Sequence, residues 1–212
     1  MKNLIIFPGW NRNEKTYKKL IKLAPQEWNI YCLAYDRLIP SGNAEKLNKK
    51  VLEFLKEKNI EKASILGISL GGALAIKFVN NYPGKVEHLF LVDSEGVYTK
   101  ANPFKVLKNI FFDASAYLRF WENIRALFYV LGNPLLCIKL GIFANYANLG
   151  EEAEGIQIPT TIIWGKEDKV IPVEQGNKLH ALIKNSKLVV LFGMGHDWIA
   201  KFPEKFWSSW EK

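Results

Sequence analysis

The sequence predicts a doubly wound α/β fold on an essentially parallel sheet of about six strands, and three observations carry that prediction. Short, largely apolar runs such as Leu4 to Phe7, Ala63 to Ile68, Val86 to Val92 and Thr160 to Trp164 alternate with amphipathic stretches, as strands buried on both faces of a parallel sheet do. Most of these runs end in a glycine-rich or polar cluster at the carboxyl end, the edge at which open α/β sheets bind ligands. Finally, Gly67-Ile68-Ser69-Leu70-Gly71 joins an apolar strand directly to a small-residue helix. A turn that tight needs glycine two residues before and two residues after the serine, so that strand and helix can approach without side-chain collisions.

Taken in order, Leu4 to Phe7 forms a strand that ends at Pro8-Gly9, and a helix follows from about Asn13 to Ala24 with Tyr17, Leu20, Ile21 and Leu23 on its apolar side. Asn29 to Tyr35 is the next strand. Asp36 to Asn43 is a polar loop, and Leu47, Val51, Phe54 and Leu55 mark a second amphipathic helix. After the serine turn and its helix, Gly72 to Asn81, Val86 to Val92 is a strand ending at Asp93-Ser94. Thr160 to Trp164 is another, followed by a helix opening near Pro172. Lys187 to Phe192 is the last strand, ending at Gly193-Met194-Gly195-His196, and Trp198 to Lys212 closes the chain as a helix. One segment breaks the alternation: from Gly96 to Gly155 there are helical runs and no strand-like one, too long for a simple crossover. It is expected to be a helical cap, so that residues 1–95 and 156–212 form the core domain and 96–155 the insertion.

A chain of 212 residues with 49% hydrophobic and 24% charged residues can bury one sizeable core. Its net charge of +8 raises the question of nucleic acid. The lysines, however, are dispersed over helix faces with no interleaved aromatic stacking pattern, so no specific nucleic-acid partner is expected. No apolar run is long enough to span a bilayer. The N-terminal apolar run is too short for an export signal, and Cys32 and Cys137 lie in no metal-ligand or redox spacing, so a cytoplasmic protein with reduced thiols is expected.

A serine on a strained strand-to-helix turn is chemically useful when a base lies within hydrogen-bond reach and an acid fixes the tautomer of that base. Of the three histidines, His88 opens a strand and His180 lies within a helix. His196 follows a glycine-rich loop at the carboxyl end of the last strand and is the candidate base for Ser69. Asp168 and Asp93 compete as its acid. Asp168 is favoured by its place just beyond the strand preceding the histidine-bearing one and by the chain order serine, acid, histidine. An oxyanion formed at the serine needs two fixed N–H donors. Leu70, next to the serine, offers one, and Trp10, in the loop after the first strand, offers the other.

Pro8-Gly9-Trp10, Gly67 to Gly71, Gly165-Lys166-Glu167-Asp168 and Gly195-His196-Asp197 together resemble the α/β-hydrolase fold superfamily over nearly the whole chain. Gly-Trp after the first strand and Ser-Leu-Gly-Gly at the turn are similar to the pimeloyl-ester carboxylesterases of biotin synthesis. The resemblance implies a core without the two leading antiparallel strands of that fold. It also implies a serine hydrolase of small-molecule carboxylic esters, acting through an acyl-enzyme and needing neither cofactor nor metal. Pro8 stands where the family usually has histidine. Other chemistry on the fold, such as lipid deacylation, C–C hydrolysis or perhydrolysis, remains open, as does a non-catalytic ligand-binding role. The cap, rich in aromatic and basic residues, is expected to shape an acyl pocket for short to medium chains and allows contact with a lipid surface. Oligomeric state is not legible.

Overall fold

The computed structural model describes residues 1–10, 12–33, 44–97, 132 and 148–210. The loop expected from Asp36 to Asn43, Cys137 and most of the expected cap lie outside these residues.

Strands β1 (Lys2–Phe7), β2 (Trp28–Cys32), β3 (Ala63–Ile68), β4 (Val86–Val92), β5 (Thr160–Gly165) and β6 (Ser186–Leu191) form one sheet of six in the order β2-β1-β3-β4-β5-β6. Every pairing is parallel. The α-helices bounded within the described residues are α1 (Lys18–Lys22), α2 (Ala44–Glu57), α3 (Leu70–Asn81), α4 (Gly150–Glu154), α5 (Val173–Leu182), α6 (Trp198–Lys201) and α7 (Glu204–Trp210). The chain runs outward from β1 to β2, then returns past β1 to β3 and proceeds the other way. The strand order therefore reverses between β1 and β3, and their carboxyl ends open the crevice where such sheets bind ligands.

Because successive strand residues point to opposite faces, the sheet feeds two cores. Ile5, Phe7, Ile65, Leu89, Leu91, Ile162 and Trp164 pack with α2 to α5 on one face. Leu4, Ile6, Leu66, Phe90, Val92 and Ile163 pack with α1, α6 and α7 on the other. The all-apolar strand pattern follows from this double coverage: β3 and β5 are buried along their full length.

Two helices differ from the sequence reading. The first is confined to Lys18–Lys22, because residues 14–17 form turns and Asn13 Oδ1 accepts the Lys15 N–H at 3.0 Å, an Asx turn that competes with helix. The C-terminal helix breaks between Lys201 and Glu204, where Pro203 has no N–H to continue the ladder. The end of the segment read as cap packs on the core: α4 buries Ala153, and its Glu152 meets Lys77 of α3 at 3.3 Å.

Candidate active site

Ser69 occupies the turn between β3 and α3 with φ 53° and ψ −124°, a conformation that costs a non-glycine residue on the order of 1–3 kcal/mol. The neighbouring packing holds it there. A side chain on Gly71 would run into the Phe7 carbonyl, and one on Gly67 would approach the Gly72 Cα to 2.6 Å. The Ser69 N–H donates to the Val92 carbonyl at 3.0 Å. Although Ser69 stands at the helix N-cap, its hydroxyl makes no capping bond and stays available to a base.

That base is in place. His196 Nε2 lies 3.0 Å from Ser69 Oγ, and His196 Nδ1 lies 2.7 Å from Asp168 Oδ2. Asp168 is held by its own loop: its Oδ1 accepts the N–H groups of Val170 at 2.8 Å and Ile171 at 2.9 Å. The same loop is tied to the core by Trp164, wholly buried, whose indole N–H donates to the Ile171 carbonyl at 2.9 Å. Carboxylate, imidazole and hydroxyl thus stand in one hydrogen-bonded row, each contributed from the carboxyl end of a different strand. Burial acts against protonation of His196, but the charge and hydrogen bond of Asp168 outweigh it and raise the imidazole to about 9.

Gly9 brings the loop after β1 to the serine; a Cβ on Gly9 would lie 3.4 Å from Ser69 Cβ. Its N–H donates to the hydroxyl of buried Tyr17 at 3.3 Å. The next N–H along, that of Trp10, and the N–H of Leu70 at the first position of α3 have no backbone partner among the described residues. Both belong to the segments that flank Ser69.

Asp93, the competing acid, is fully buried at φ 43°, and its Oδ1 accepts the Gly165 N–H at 2.8 Å. Its Oδ2 has no partner among the described residues. Burial first, and then the nearby charge of Asp168, push its carboxyl well above the usual range. Asp93, Asp168 and His196 place potential ligand atoms within 4.8 Å of one another. Both imidazole nitrogens and both Asp168 oxygens are engaged in the hydrogen bonds described above.

The other histidines stand elsewhere. His88 pairs with Thr161 Oγ1 at 2.9 Å, and His180 with Ser186 Oγ at 2.8 Å. Sequence reasoning missed two contributors: Tyr17 on the Gly9 N–H and the Arg12–Asp197 ion pair that joins two of the loops.

No model of a protein family matches the chain. It is 26% identical to a 2-hydroxy-6-oxononadienedioate/2-hydroxy-6-oxononatrienedioate hydrolase of Pseudomonas putida, over 96% of this chain and 78% of that protein. It is 25% identical to the monoacylglycerol lipase ABHD6 of Mus musculus, over 96% and 72%. Among solved structures, an α/β hydrolase enzyme from the sediment metagenome of the Mar Chica lagoon, Morocco, superimposes with a TM-score of 0.78 at 20% identity, covering 99% of this chain and 89% of the other. The fold is that of the α/β hydrolases. No helix among the described residues of this α/β-hydrolase fold is long and apolar enough to cross a membrane.

Proposed function

We propose that the protein is a serine hydrolase of small-molecule carboxylic esters with short to medium acyl chains. The observation that supports this reading most directly is the row Ser69 Oγ, His196 Nε2, His196 Nδ1, Asp168 Oδ2, with contacts of 3.0 and 2.7 Å. In the reaction, Ser69 Oγ attacks the acyl carbon while His196 Nε2 takes its proton. The developing oxyanion is held by the N–H groups of Trp10 and Leu70, and Asp168 steadies the imidazolium. Collapse expels the alcohol, which receives that proton from His196. A water molecule, deprotonated by the same imidazole, then releases the acid and restores the serine. Every proton moves through one nitrogen, and the residues named suffice for the cycle. We also place the protein in the cytoplasm, on its two cysteines outside any paired or metal-binding spacing.

A second reading, hydrolysis of a C–C bond beside a ketone, rests on the Pseudomonas putida relative, whose name states a dienedioate substrate. One experiment separates the two: turnover of p-nitrophenyl esters from acetate to palmitate, with fluorophosphonate labelling of the protein as the measure of nucleophile reactivity. Ester turnover together with labelling supports the proposal. Labelling without ester turnover, and cleavage of a vinylogous diketone acid instead, would replace it with the second reading.

A further inference from the structure

Pro8 and Gly9, the first residues beyond β1, are buried, and neither has a polar side chain with which to hold its loop. The peptide groups on either side of Gly9 are held instead by their surroundings. The Pro8 carbonyl lies against α3, so close that a Cβ on Gly71 would stand 2.6 Å from its oxygen. On the opposite face of the sheet, the N–H of the same peptide group donates to the Tyr17 hydroxyl at 3.3 Å. Tyr17 is only 2% exposed, in the core that contains Leu4, Ile6, Leu20 and Ile68. The next carbonyl, that of Gly9, accepts the Arg12 N–H at 3.1 Å. In a trans peptide the carbonyl and the N–H point in opposite directions, so this bond also sets the direction of the Trp10 N–H.

Glycine has no Cβ to restrict the rotations between those two peptide groups, and this one runs at van der Waals distance from the nucleophile: a Cβ on Gly9 would lie 3.4 Å from Ser69 Cβ. Without a bond to its N–H, the Pro8–Gly9 peptide group would be free to turn, and a buried donor would be left unpaired. We infer that Tyr17 is a positioning residue for the oxyanion: its hydroxyl takes up the Gly9 N–H, so that the loop after β1 presents the Trp10 N–H, and not the Gly9 N–H, to the oxygen that develops charge beside Ser69. Being buried, the phenol acts through one peptide group and does not reach the substrate. Burial pushes that phenol well above its usual range, so it stays a neutral hydroxyl while His196 titrates, and its removal changes no charge at the site. This inference rests on the reading of Ser69 as a nucleophile whose oxyanion is held by the N–H groups of Trp10 and Leu70.

The test sets Tyr17→Phe beside Trp207→Phe. The Trp207 indole N–H donates to the Leu20 carbonyl at 3.1 Å, so the second variant loosens the same helix, α1, without touching the Gly9 N–H. Both should lower the melting temperature by a few degrees. Only Tyr17→Phe should lower kcat for p-nitrophenyl butyrate, by about tenfold to about 10², less than the roughly 10²–10³ that deleting an oxyanion donor outright costs. Its KM should stay within about twofold, because the donor acts in the transition state. It should weaken inhibition by a trifluoromethyl ketone, which forms an oxyanion on Ser69, by the same factor as kcat, and leave inhibition by the corresponding carbinol, which forms none, within about twofold. The pH at which kcat/KM levels off should remain that of the wild type. A kcat within about twofold of wild type, equal weakening of ketone and carbinol, or as large a loss of kcat in Trp207→Phe would each overturn the assignment. If Tyr17→Phe fails to fold, the wild type carries the test by NMR: when the ketone binds, the Trp10 amide proton should move downfield and that of Gly9 should stay, and the reverse would overturn it. If no ester turns over, fluorophosphonate labelling rates of the variants read the same donors, so the ester reading falls while Tyr17 is still judged. Absence of labelling in the wild type would overturn the nucleophile and the positioning role together.

Discussion

A terminal nitrogen of Arg12 lies 3.2 Å from both carboxylate oxygens of Asp197, the residue next to His196, and so ties the loop after β1 to the loop that carries the imidazole. The pair is only about a quarter exposed on either side, so its geometry is worth more than that of a freely solvated pair. Arg12→Ala should loosen the Trp10 N–H relative to His196 and remove the guanidinium from beside the Asp197 carboxylate. The expected outcome is a loss in kcat/KM of about tenfold, the scale of a small misplacement of catalytic groups. The rise of kcat/KM with pH should also move to higher pH, because the loss of that positive charge favours the imidazolium. An unchanged pH profile would show that the pair only packs the surface.

Ser69→Ala should remove ester hydrolysis by on the order of 10⁶ in turnover and abolish fluorophosphonate labelling. The circular dichroism spectrum should stay that of the wild type, since the serine hydroxyl makes no cap bond in the fold. Hydrolysis within tenfold of wild type would remove the mechanism.

Asp168→Asn and Asp93→Asn separate the two acids. Loss of Asp168 should slow turnover by about 10⁴, as in the serine-protease triad from which the handling of the tautomer is understood. Asp93, bonded to the Gly165 N–H rather than to the imidazole, should cost far less. The opposite ranking would transfer the acid role to Asp93.

The pH dependence of kcat/KM follows from His196. Only the neutral imidazole can take the serine proton, and the imidazole is raised to about 9, so the rate should climb through the neutral range and level off near that pH. Asp168→Asn removes the charge that holds the imidazole up, so the residual activity should reach its plateau at lower pH. A profile already flat at neutral pH in the wild type would contradict the arrangement.

His88 gives a stability prediction with the other sign. Burial first, and then Lys187, lower its pKa from 6.5 to about 4, so between those values the unfolded chain binds the proton that the folded chain refuses. Its contribution is present above pH 6.5 and is lost as pH falls through about 4. His88→Gln should therefore flatten the decline of melting temperature across that window while leaving ester turnover near wild type.

Acyl selectivity tests the expected cap. Residues from Lys100 to Gly150 contain ten aromatics, and each methylene buried against such a surface adds roughly 0.8 kcal/mol. Specificity is expected to rise several-fold per carbon up to the length of the pocket and then fall. A flat response from acetate to decanoate would assign those aromatics to packing alone.

The parallel sheet was legible because β3 and β5 are buried along their full length and β4 from Leu89 to Val92, which favours largely apolar runs; β3 and β4 begin and end where the apolar pattern placed them. The serine turn was legible too, since only glycine tolerates the approach of Phe7 and Gly72 at positions 71 and 67. From the sequence alone, Asp168 and Asp93 were separated only by chain order. Which carboxylate meets His196 depends on the 165–171 loop, closed by the Trp164 indole, and no local pattern encodes that contact. The partnership of Arg12 with Asp197, 185 positions apart, was likewise decided by the tertiary structure. A sequence states which groups can be charged or can donate; their neighbours, burial and distance, which set what those groups do, exist only once the sheet has brought the carboxyl ends of its strands together.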